Sequence, residues 1–298
     1  MPIDAVLHEL LVRQLDAWLP GALRRSRRAT LALAYAGDAG NAPDALRVVG
    51  EFADRLRGRR LTVLVLAAGD ERLPARLGPV EATLPGDVAV HVVPGDPSRL
   101  PVALKAAGAA GAPLLAVVHG AAPDPAVLAA VSTGRPAELL LAAPAPAAPR
   151  PALTAAGFPL VAEVELVPAD GSPSWLVGYA TGLDKSLEAF KDALWEVDEF
   201  AGVRYRDPAD PAGRPVDVAL HPEPGPLRRE LLAELDRSGP RTVTELRRYT
   251  LTSTVYRVAD TTRALHDLLD TGAARREPEH GRLGGDVMIS AVAGSSAV

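Results

Sequence analysis

Apolar segments of strand length alternate with helical segments across residues 30–142, and this alternation constrains the fold more than any other feature. Two of the segments, LTVLVLAA from Leu61 and PLLAVV from Pro113, lack polar alternation, which is typical of strands covered on both faces. Strands separated by helices predict a parallel sheet with helices on both sides. The predicted strands are Thr30–Ala36, Leu61–Ala67, Val88–Val93, Leu114–His119 and Glu138–Ala142, and the predicted helices between them are Pro43–Arg57, Arg72–Thr83, Ser98–Ala110 and Asp124–Val131.

The pattern changes after residue 142. Two further strands, Leu160–Val167 and Trp175–Ala180, are separated only by the turn-forming sequence Pro-Ala-Asp-Gly-Ser-Pro. A connection this short predicts an antiparallel hairpin that closes the parallel sheet at one edge. At the other end of the chain, Val6–Trp18 has apolar residues at helical spacing and is followed by Pro20-Gly21, which predicts an amphipathic helix that stops there.

The C-terminal third has a different organisation. A Pro-rich segment, residues 207–226, predicts a linker after a first domain of residues 1–206. Residues 227–292 then predict a winged-helix domain, with three helices followed by two strands, and residues 293–298 a disordered tail. The predicted elements are a helix Leu227–Arg237, a short helix capped by Thr242 or Thr244 that runs to Arg248, a third helix Thr252–Leu269, and strands within Ala273–Ala291 around the loop Pro278–Gly285.

Composition narrows the classes of function. The 298 residues are 48% hydrophobic, enough for one large α/β domain and a small one, and the net charge of −5 argues against a generally basic nucleic-acid-binding surface. The chain has no cysteine, which excludes disulfides and thiolate chemistry and is expected of a cytoplasmic protein. No apolar run reaches the roughly 18 residues of a membrane span, and the N-terminus lacks the pattern of a signal peptide. Motifs of P-loop, zincin and serine-hydrolase sites are missing and the histidines lack metal-ligand spacing, so no metal is expected.

The most specific segment is Trp175–Asp198, WLVGYATGLDKSLEAFKDALWEVD, preceded by Phe158-Pro159. It resembles the three-Cys-motif partner protein family. This resemblance implies a Rossmann-like class I methyltransferase sheet with an antiparallel edge hairpin, joined to a C-terminal winged helix-turn-helix domain. It also implies S-adenosylmethionine as cofactor and a protein partner, namely a radical enzyme carrying the three-Cys motif. Phe190 and Trp195 are expected to anchor the helix on the sheet.

The resemblance also implies where a cofactor would lie. The first strand runs into a Gly-rich turn, and glycines at such a turn let the backbone approach a ligand, although the same turn also serves as a plain tight turn. The residues in register with the family's methionine-binding turn are Tyr35, Ala36, Gly37, Asp38 and Gly40.

Positions after the next three strands complete this expected site. The family's ribose-binding glutamate aligns with Ala68. Asp70, two residues later, either contacts the ribose in its place or simply starts the next helix. Asp96 either accepts from the adenine amino group or forms an ordinary turn, and His119 is either a base at the sheet edge or a structural residue. The family's Asp-Pro-Phe-Gly-like motif is absent after the fourth strand, so no catalytic residue is assigned. Because the ribose acid is missing, we expect S-adenosylmethionine to bind weakly or not at all.

The predicted winged helix offers candidate contacts to nucleic acid or to a protein: Arg248, Thr252, Thr254, Tyr256, Arg257, Arg275, Arg276 and Arg282. Residues 221–290 carry equal numbers of basic and acidic side chains, which favours contact with a protein, including a second copy of this chain, over contact with DNA. The leading hypothesis is therefore a non-catalytic, methyltransferase-like binding or regulatory protein. The alternatives are an active S-adenosylmethionine-dependent methyltransferase and a winged-helix regulator that binds DNA.

Overall fold

A computed structural model describes residues 2–122, 124–197, 203–210, 212–216 and 225–292. The chain divides into two units, Met1–Val216 and Asp217–Val298, each of which is described by itself.

The first unit is built on one nine-stranded sheet with the order β3-β2-β1-β4-β5-β7-β6-β8-β9. Strands β1 to β5 run parallel, with β1 at the centre, so that Leu33 lies opposite Val65 on one side and Val117 on the other. The predicted α/β class and mostly parallel sheet are thus confirmed. The strands are β1 Arg28–Tyr35, β2 Arg60–Ala67, β3 Val88–Pro94, β4 Leu114–His119, β5 Ala137–Pro144, β6 Leu160–Pro168, β7 Trp175–Thr181, β8 Val203–Arg206 and β9 Pro215–Val216.

The predicted hairpin forms, but it does not close the sheet. β7 is antiparallel to both β5 and β6, and the far side of β6 pairs with β8, which in turn pairs with β9. These two strands are not predicted from the sequence because they are short, lie among Pro and Asp residues, and carry only Val203 and Tyr205 as buried apolar residues. β9 therefore lies in the segment predicted as linker, and the first unit extends to Val216 rather than residue 206.

Helices cover both faces of this sheet. α5, α6 and α7 pack on the face that presents Ala32 and Ala34 of β1, while α1 and α8 pack together on the opposite face. The predicted anchors of α8 are buried there: Phe190 stacks on Tyr179 with ring centroids 4.6 Å apart, and Trp195 is fully buried. The helices are α1 Pro2–Arg25, α2 Ala42–Glu51, α3 Ala53–Leu56, α4 Leu73–Glu81, α5 Leu100–Ala106, α6 Pro125–Val131, α7 Pro149–Ala155 and α8 Asp184–Val197, with a 3-10 turn at Pro97–Arg99.

α1 is longer than the sequence predicts. It continues through Pro20 to Arg25 instead of stopping at Pro20-Gly21. The reason is that its apolar face continues beyond the proline, where Ala22 and Leu23 are buried. Burial of that face offsets the hydrogen bond that proline cannot make.

A buried polar network ties α1 and α8 to the sheet. Gln14 Nε2 donates to Tyr179 Oη at 2.8 Å, Tyr179 donates to Glu138, and Ser186 Oγ donates to Glu138 Oε1 at 3.2 Å. Burial raises the pKa of Glu138, and the hydrogen bonds from Tyr179 and Ser186 offset part of that rise. A carboxyl group whose folded-state pKa lies above its unfolded value lowers stability progressively as the pH rises from the unfolded pKa to the folded one.

Glu138→Gln is therefore expected to flatten the pH dependence of stability. As the pH rises above the ordinary pKa of glutamate, the free energy of unfolding should decline less in Glu138→Gln than in the unaltered chain, since the amide keeps an acceptor for Tyr179 but never ionises. Urea unfolding at several pH values measures this difference. An identical pH profile in both proteins would show that Glu138 is not the titrating group.

Residues 225–292 of the second unit form three helices and a three-stranded sheet in which β12 lies between β10 and β11. Its core is formed by Leu231, Leu246, Leu265 and Ile289. The elements are α9 Gly225–Ser238, β10 Arg241–Thr242, α10 Val243–Ser253, α11 Val258–Asp270, β11 Ala274–Glu277 and β12 Met288–Ala291.

The start of the third helix differs from the sequence prediction. Thr242, one of the two residues predicted to cap this helix, caps α10 through a capping box with Glu245. α10 then runs on to Ser253, so Thr252 ends this helix instead of opening the next one. Thr254 Oγ1 donates to the carbonyl of Thr250 at 2.8 Å and accepts from the N–H of Tyr256 at 3.0 Å, which closes α10. α11 begins only at Val258, after the N-cap residue Arg257.

Candidate functional site

The carboxyl ends of the five parallel strands meet at one edge of the sheet, where open α/β sheets bind their ligands. β1 leads into the Gly-rich turn, β2 into Ala68, β3 into Gly95 and β4 into Gly120. β7 runs in the opposite direction, so its first residue, Trp175, reaches the same edge. The topology thus gathers chemically distinct side chains from separate parts of the chain.

A cleft of about 870 Å³ opens at this edge and is called the aromatic cleft. The ring of His119 lies between those of Tyr35 and Trp175, with centroid distances of 5.8 and 5.0 Å. Tyr35 Oη donates to Asn41 Oδ1 at 2.5 Å, which fixes the far end of the Gly-rich turn. The first turns of α1 form the opposite side. The lining residues are Asp4, Ala5, Leu7, His8, Tyr35, Ala36, Gly37, Asp38, Gly40, Asn41, Asp44, His119, Gly120, Pro144 and Trp175.

The buried position of His119 favours the neutral form of its imidazole. Burial lowers its pKa below the ordinary value, and the nearby charge of Asp4 only partly opposes that shift. Its backbone carbonyl accepts from the N–H of Ala36 at 2.9 Å, so the strand end itself is held against the Gly-rich turn. The ring therefore serves as an aromatic and hydrogen-bonding surface rather than as a cation.

A second cavity, of about 180 Å³, adjoins the aromatic cleft through Ala36 and is called the apolar slot. Asp96 and Ser98 stand at its polar side. The carboxylate of Asp96 accepts from the N–H and the hydroxyl of Ser98, and these hydrogen bonds lower the pKa of Asp96. Asp96 thus caps the 3-10 turn after β3 while also lining the slot. The remaining lining residues are Ala36, Pro97, Val118, Ala121, Ala122, Asp124, Val127, Leu128, Leu139 and Leu141.

Asp70 belongs to an ion cluster beside the cleft. Arg76 Nη2 donates to Asp38 Oδ1 at 2.8 Å and also to Asp70. Burial alone would raise the pKa of Asp70, but the charge and hydrogen bond of Arg76 and the N–H of Ala39 together hold that pKa below the ordinary value. Asp70 is 11% exposed and Asp38 is 73% exposed. The acid nearest to the expected ribose position is therefore already paired.

The glycines of the site differ in whether their backbone conformation and surroundings require glycine. A Cβ at Gly37 would meet nothing within 4 Å, and neither Gly37 nor Gly40 has a positive φ. Gly120 does need to be glycine, because its φ is +78° and a Cβ there would lie 3.3 Å from Ala36 Cβ. The turn after β4 is thus the conformationally demanding one, and the turn after β1 leaves open space for a ligand.

The structure brings together most of the predicted site. Tyr35, Ala36, Gly37, Asp38, Gly40 and His119 line the aromatic cleft, Asp96 lines the apolar slot, and Asp70 lies in neither. Trp175 was not predicted as a site residue, although the antiparallel direction of its strand could have placed it at this edge. Asp4, His8 and Asp44 also line the cleft, and no sequence pattern indicates them.

Several predicted contacts in the second unit have structural roles. Tyr256 and Thr254 are buried, at 4% and 8% exposure. Arg257 donates to the buried carboxylate of Asp260 at 3.1 Å from both Nε and Nη2. Arg276 donates to three carbonyls of the loop between β11 and β12, those of Pro278, Gly281 and Arg282.

The predicted contacts that stay exposed are Arg248, Arg275 and Arg282. Thr252 is half-buried, and its hydroxyl donates to the carbonyl of Arg248 at 2.9 Å. A groove of about 500 Å³ lies beside α11 and β11, and its charged lining is mixed: His266, Asp270, Arg275, Arg276 and Glu279. A groove of mixed charge favours no polyanion.

In the part of the chain that the structure describes, no group of three potential metal ligands occurs. Nor is any of its helices long and apolar enough to cross a bilayer.

Comparison with known proteins gives little further guidance. No family model and no curated protein matches this chain. The solved crystal structure of EvdMO1 aligns with a TM-score of 0.37 and 16% sequence identity, over 60% of this chain and 42% of that chain. The chain thus spans less than half the length of the solved structure it matches.

Proposed function

We propose that this chain is a divergent, methyltransferase-like protein that holds S-adenosylmethionine weakly and acts as a binding or regulatory partner of another protein. The main observation behind the proposal is that the expected ribose-binding position has no free acidic side chain. Ala68 stands where the resemblance to the three-Cys-motif partner family places an acid, and Asp70 is paired with Arg76. A site that lacks a free acid at this point loses the two hydroxyl contacts that fix a nucleoside.

The arrangement of the first unit supports the methyltransferase-like part of the proposal. Five parallel strands followed by β7, which lies antiparallel between β5 and β6, resemble the layout of class I methyltransferases. The apolar slot has the size and chemistry for a purine ring, with Asp96 beside it as an acceptor for an amino group. The aromatic cleft, reached past Ala36, has room for the amino-acid part of the cofactor.

Few side chains at this edge of the sheet could take part in catalysis, which favours a non-catalytic role. The position of His119, stacked on Trp175 and tilted against Tyr35, suits packing better than proton transfer. The end of β4 carries His119-Gly120-Ala121-Ala122 in place of the acid and aromatic that the family resemblance implies. An active S-adenosylmethionine-dependent methyltransferase remains the alternative, with His119 as its candidate base.

A protein partner is the proposed target of the second unit. Its order of helices and strands, with β12 between β10 and β11, resembles a winged helix, a module that contacts either DNA or protein. Three of its predicted contacts, Thr254, Tyr256 and Arg257, are used inside the unit, and its exposed groove carries mixed charge. These features support protein contact over DNA contact, and the family resemblance implies a radical enzyme as that partner.

Restoring the ribose acid is expected to tighten cofactor binding. Ala68→Glu should lower the dissociation constant for S-adenosylmethionine by roughly one to two decades, because hydrogen bonds to a charged group contribute about 1.5–3 kcal/mol. Isothermal titration calorimetry of the variant and the unaltered chain measures this change.

Ala68→Gln is the matched control, since it has the size of glutamate without the charge and should gain much less. Equal affinities for all three proteins would show that position 68 does not face the ribose. Saturable methyl transfer by the unaltered chain would favour the enzymatic alternative instead.

A further inference from the structure

We propose that the edge of the sheet at which strands β1 to β5 begin binds the phosphate backbone of a nucleic acid. Two segments there, residues 24–28 and 55–60, together contain eight arginines and no acidic residue, in a chain of net charge −5. This inference goes beyond the proposed function, because it concerns the edge opposite the aromatic cleft and a different ligand. The surface is called the arginine patch and consists of Arg24, Arg25, Arg27, Arg28, Arg55, Arg57, Arg59 and Arg60.

Contacts of the main chain and of one side chain hold the two segments together. They lead into β1 and β2, which pair in parallel so that Arg28 lies opposite Arg60. The N–H of Arg60 donates to the carbonyl of Arg27 at 2.7 Å. Arg59 Nη1 donates to the carbonyl of Ser26 at 3.1 Å. The arginines of both segments therefore form one continuous surface.

The positive charge of the patch is largely uncompensated. Seven of its arginines are exposed, and Arg59 is half-buried. Among the described residues, the ion pair of the patch joins Arg57 to Asp54 at 3.1 Å, and both of these side chains are exposed, where such a pair contributes little. Arg28 and Arg59 donate to main-chain carbonyls, which carry no net charge. The acids beside the two segments in the chain or in the sheet register are fewer than half the arginines: Glu51, Asp54 and Asp87. Concentrated positive charge of this kind attracts a polyanion.

The residue type favours phosphate as the anion. The basic residues of both segments are all arginine, whose planar guanidinium presents a fork of donors that matches phosphate oxygens. Arg55 lies over the ring of Phe52, with 5.6 Å between Cζ and the ring centroid. This contact involves an aromatic ring and no acid, so it leaves the charge of Arg55 in place.

The patch also lacks the apolar centre of a protein interface. Interfaces between proteins have cores that are depleted of charge and enriched in aromatic and other apolar side chains. In the described part of the chain, the exposed large apolar side chain is that of Val102 in α5, outside both segments. A nucleic acid offers one phosphate about every 3.4 Å along each strand, and it therefore fits this surface better than another protein does.

The test is fluorescence anisotropy of the full chain with labelled single-stranded DNA and RNA of about 20 nucleotides, at salt concentrations from about 50 to 200 mM. We expect saturable, micromolar binding that weakens as salt rises, by about 0.7 decade of affinity per decade of salt for each phosphate contact. The tighter of the two probes identifies which nucleic acid is preferred. Poly-L-glutamate of equal charge represents an acidic protein segment. It should compete at least about tenfold less well, because exposed arginines also stack on bases.

Two variants of the patch locate the binding groups. Arg27→Gln combined with Arg60→Gln removes two exposed charges, one from each segment. This variant should bind at least about tenfold more weakly at the lowest salt concentration, and its salt slope should fall by about 1.4. Arg24→Gln combined with Arg55→Gln, also at exposed positions, should have the same effect. Unchanged urea unfolding of each variant shows that the lost affinity is not due to a lost fold.

The matched control lies in the second unit. Arg275→Gln combined with Arg282→Gln makes the same change of charge at exposed positions there, and it should leave the affinity and the salt slope unchanged. Four results would each overturn the proposal: no saturable binding up to about 100 μM protein at the lowest salt, equal competition by poly-L-glutamate, full binding by both patch variants, or an equal loss in the control.

Discussion

Replacing Trp195 by alanine is expected to destabilise the first unit by about 3–5 kcal/mol, because the side chain is fully buried where α8 packs on the sheet. The packing there includes the stack of Phe190 on Tyr179, so the cavity cannot collapse without moving α8. Urea unfolding followed by tryptophan fluorescence measures the loss. All three tryptophans of the chain, at positions 18, 175 and 195, belong to the first unit, so the signal reports this unit alone.

Trp175→Ala is the matched control for this prediction. Trp175 is only half-buried, so its removal should cost clearly less stability than that of Trp195. Equal losses for the two variants would contradict the placement of α8 against the sheet.

Removing Arg257 is expected to destabilise the second unit by about 3 kcal/mol. Its guanidinium pairs with the carboxylate of Asp260, which is 3% exposed, and Arg257→Ala would leave that buried charge without its partner. Amide hydrogen exchange of α10 and α11 measures the effect. Arg263→Ala, at an exposed position of α11, should leave exchange unchanged, and a similar response to both substitutions would exclude a structural role for the Arg257–Asp260 pair.

This prediction also changes how nucleic-acid binding is tested. Tyr256 and Arg257 appear at first to be surface contacts of a recognition helix, but one is buried and the other caps α11. Loss of DNA binding in a variant of either residue would report unfolding as readily as a lost contact. The exposed residues Arg248, Arg275 and Arg282 are the informative ones.

The parallel sheet could be predicted from the sequence because its strands are apolar on both faces. The predicted bounds of the strand Leu114–His119 are those of β4, and Leu61–Ala67 differs from β2 by one residue. The sequence-based predictions of helix ends are wrong where tertiary packing or side-chain hydrogen bonds override the local sequence pattern. Pro20 predicts the end of a helix, but α1 continues to Arg25 because apolar residues after the proline are buried. Thr254 continues a helical pattern, yet its hydroxyl bonds to the backbone and ends α10.

The sequence predicts where the candidate site lies, but not how its side chains pair. The rule that ligands bind at the carboxyl ends of parallel strands brings the Gly-rich turn and His119 to one edge. The pairing of Arg76 with Asp38 joins residues 38 positions apart, and no local pattern reveals it. The closeness of Asp4 to His119 likewise depends on how α1 packs, which the sequence of α1 alone does not specify.

Calorimetric titration of the unaltered chain with S-adenosylmethionine tests the central claim most directly. With Ala68 at the ribose position and Asp70 paired with Arg76, we predict either no detectable heat or a dissociation constant weaker than about 100 μM. A dissociation constant in the micromolar range or tighter would contradict the account, since it would mean that the cofactor is held without the contacts identified as missing.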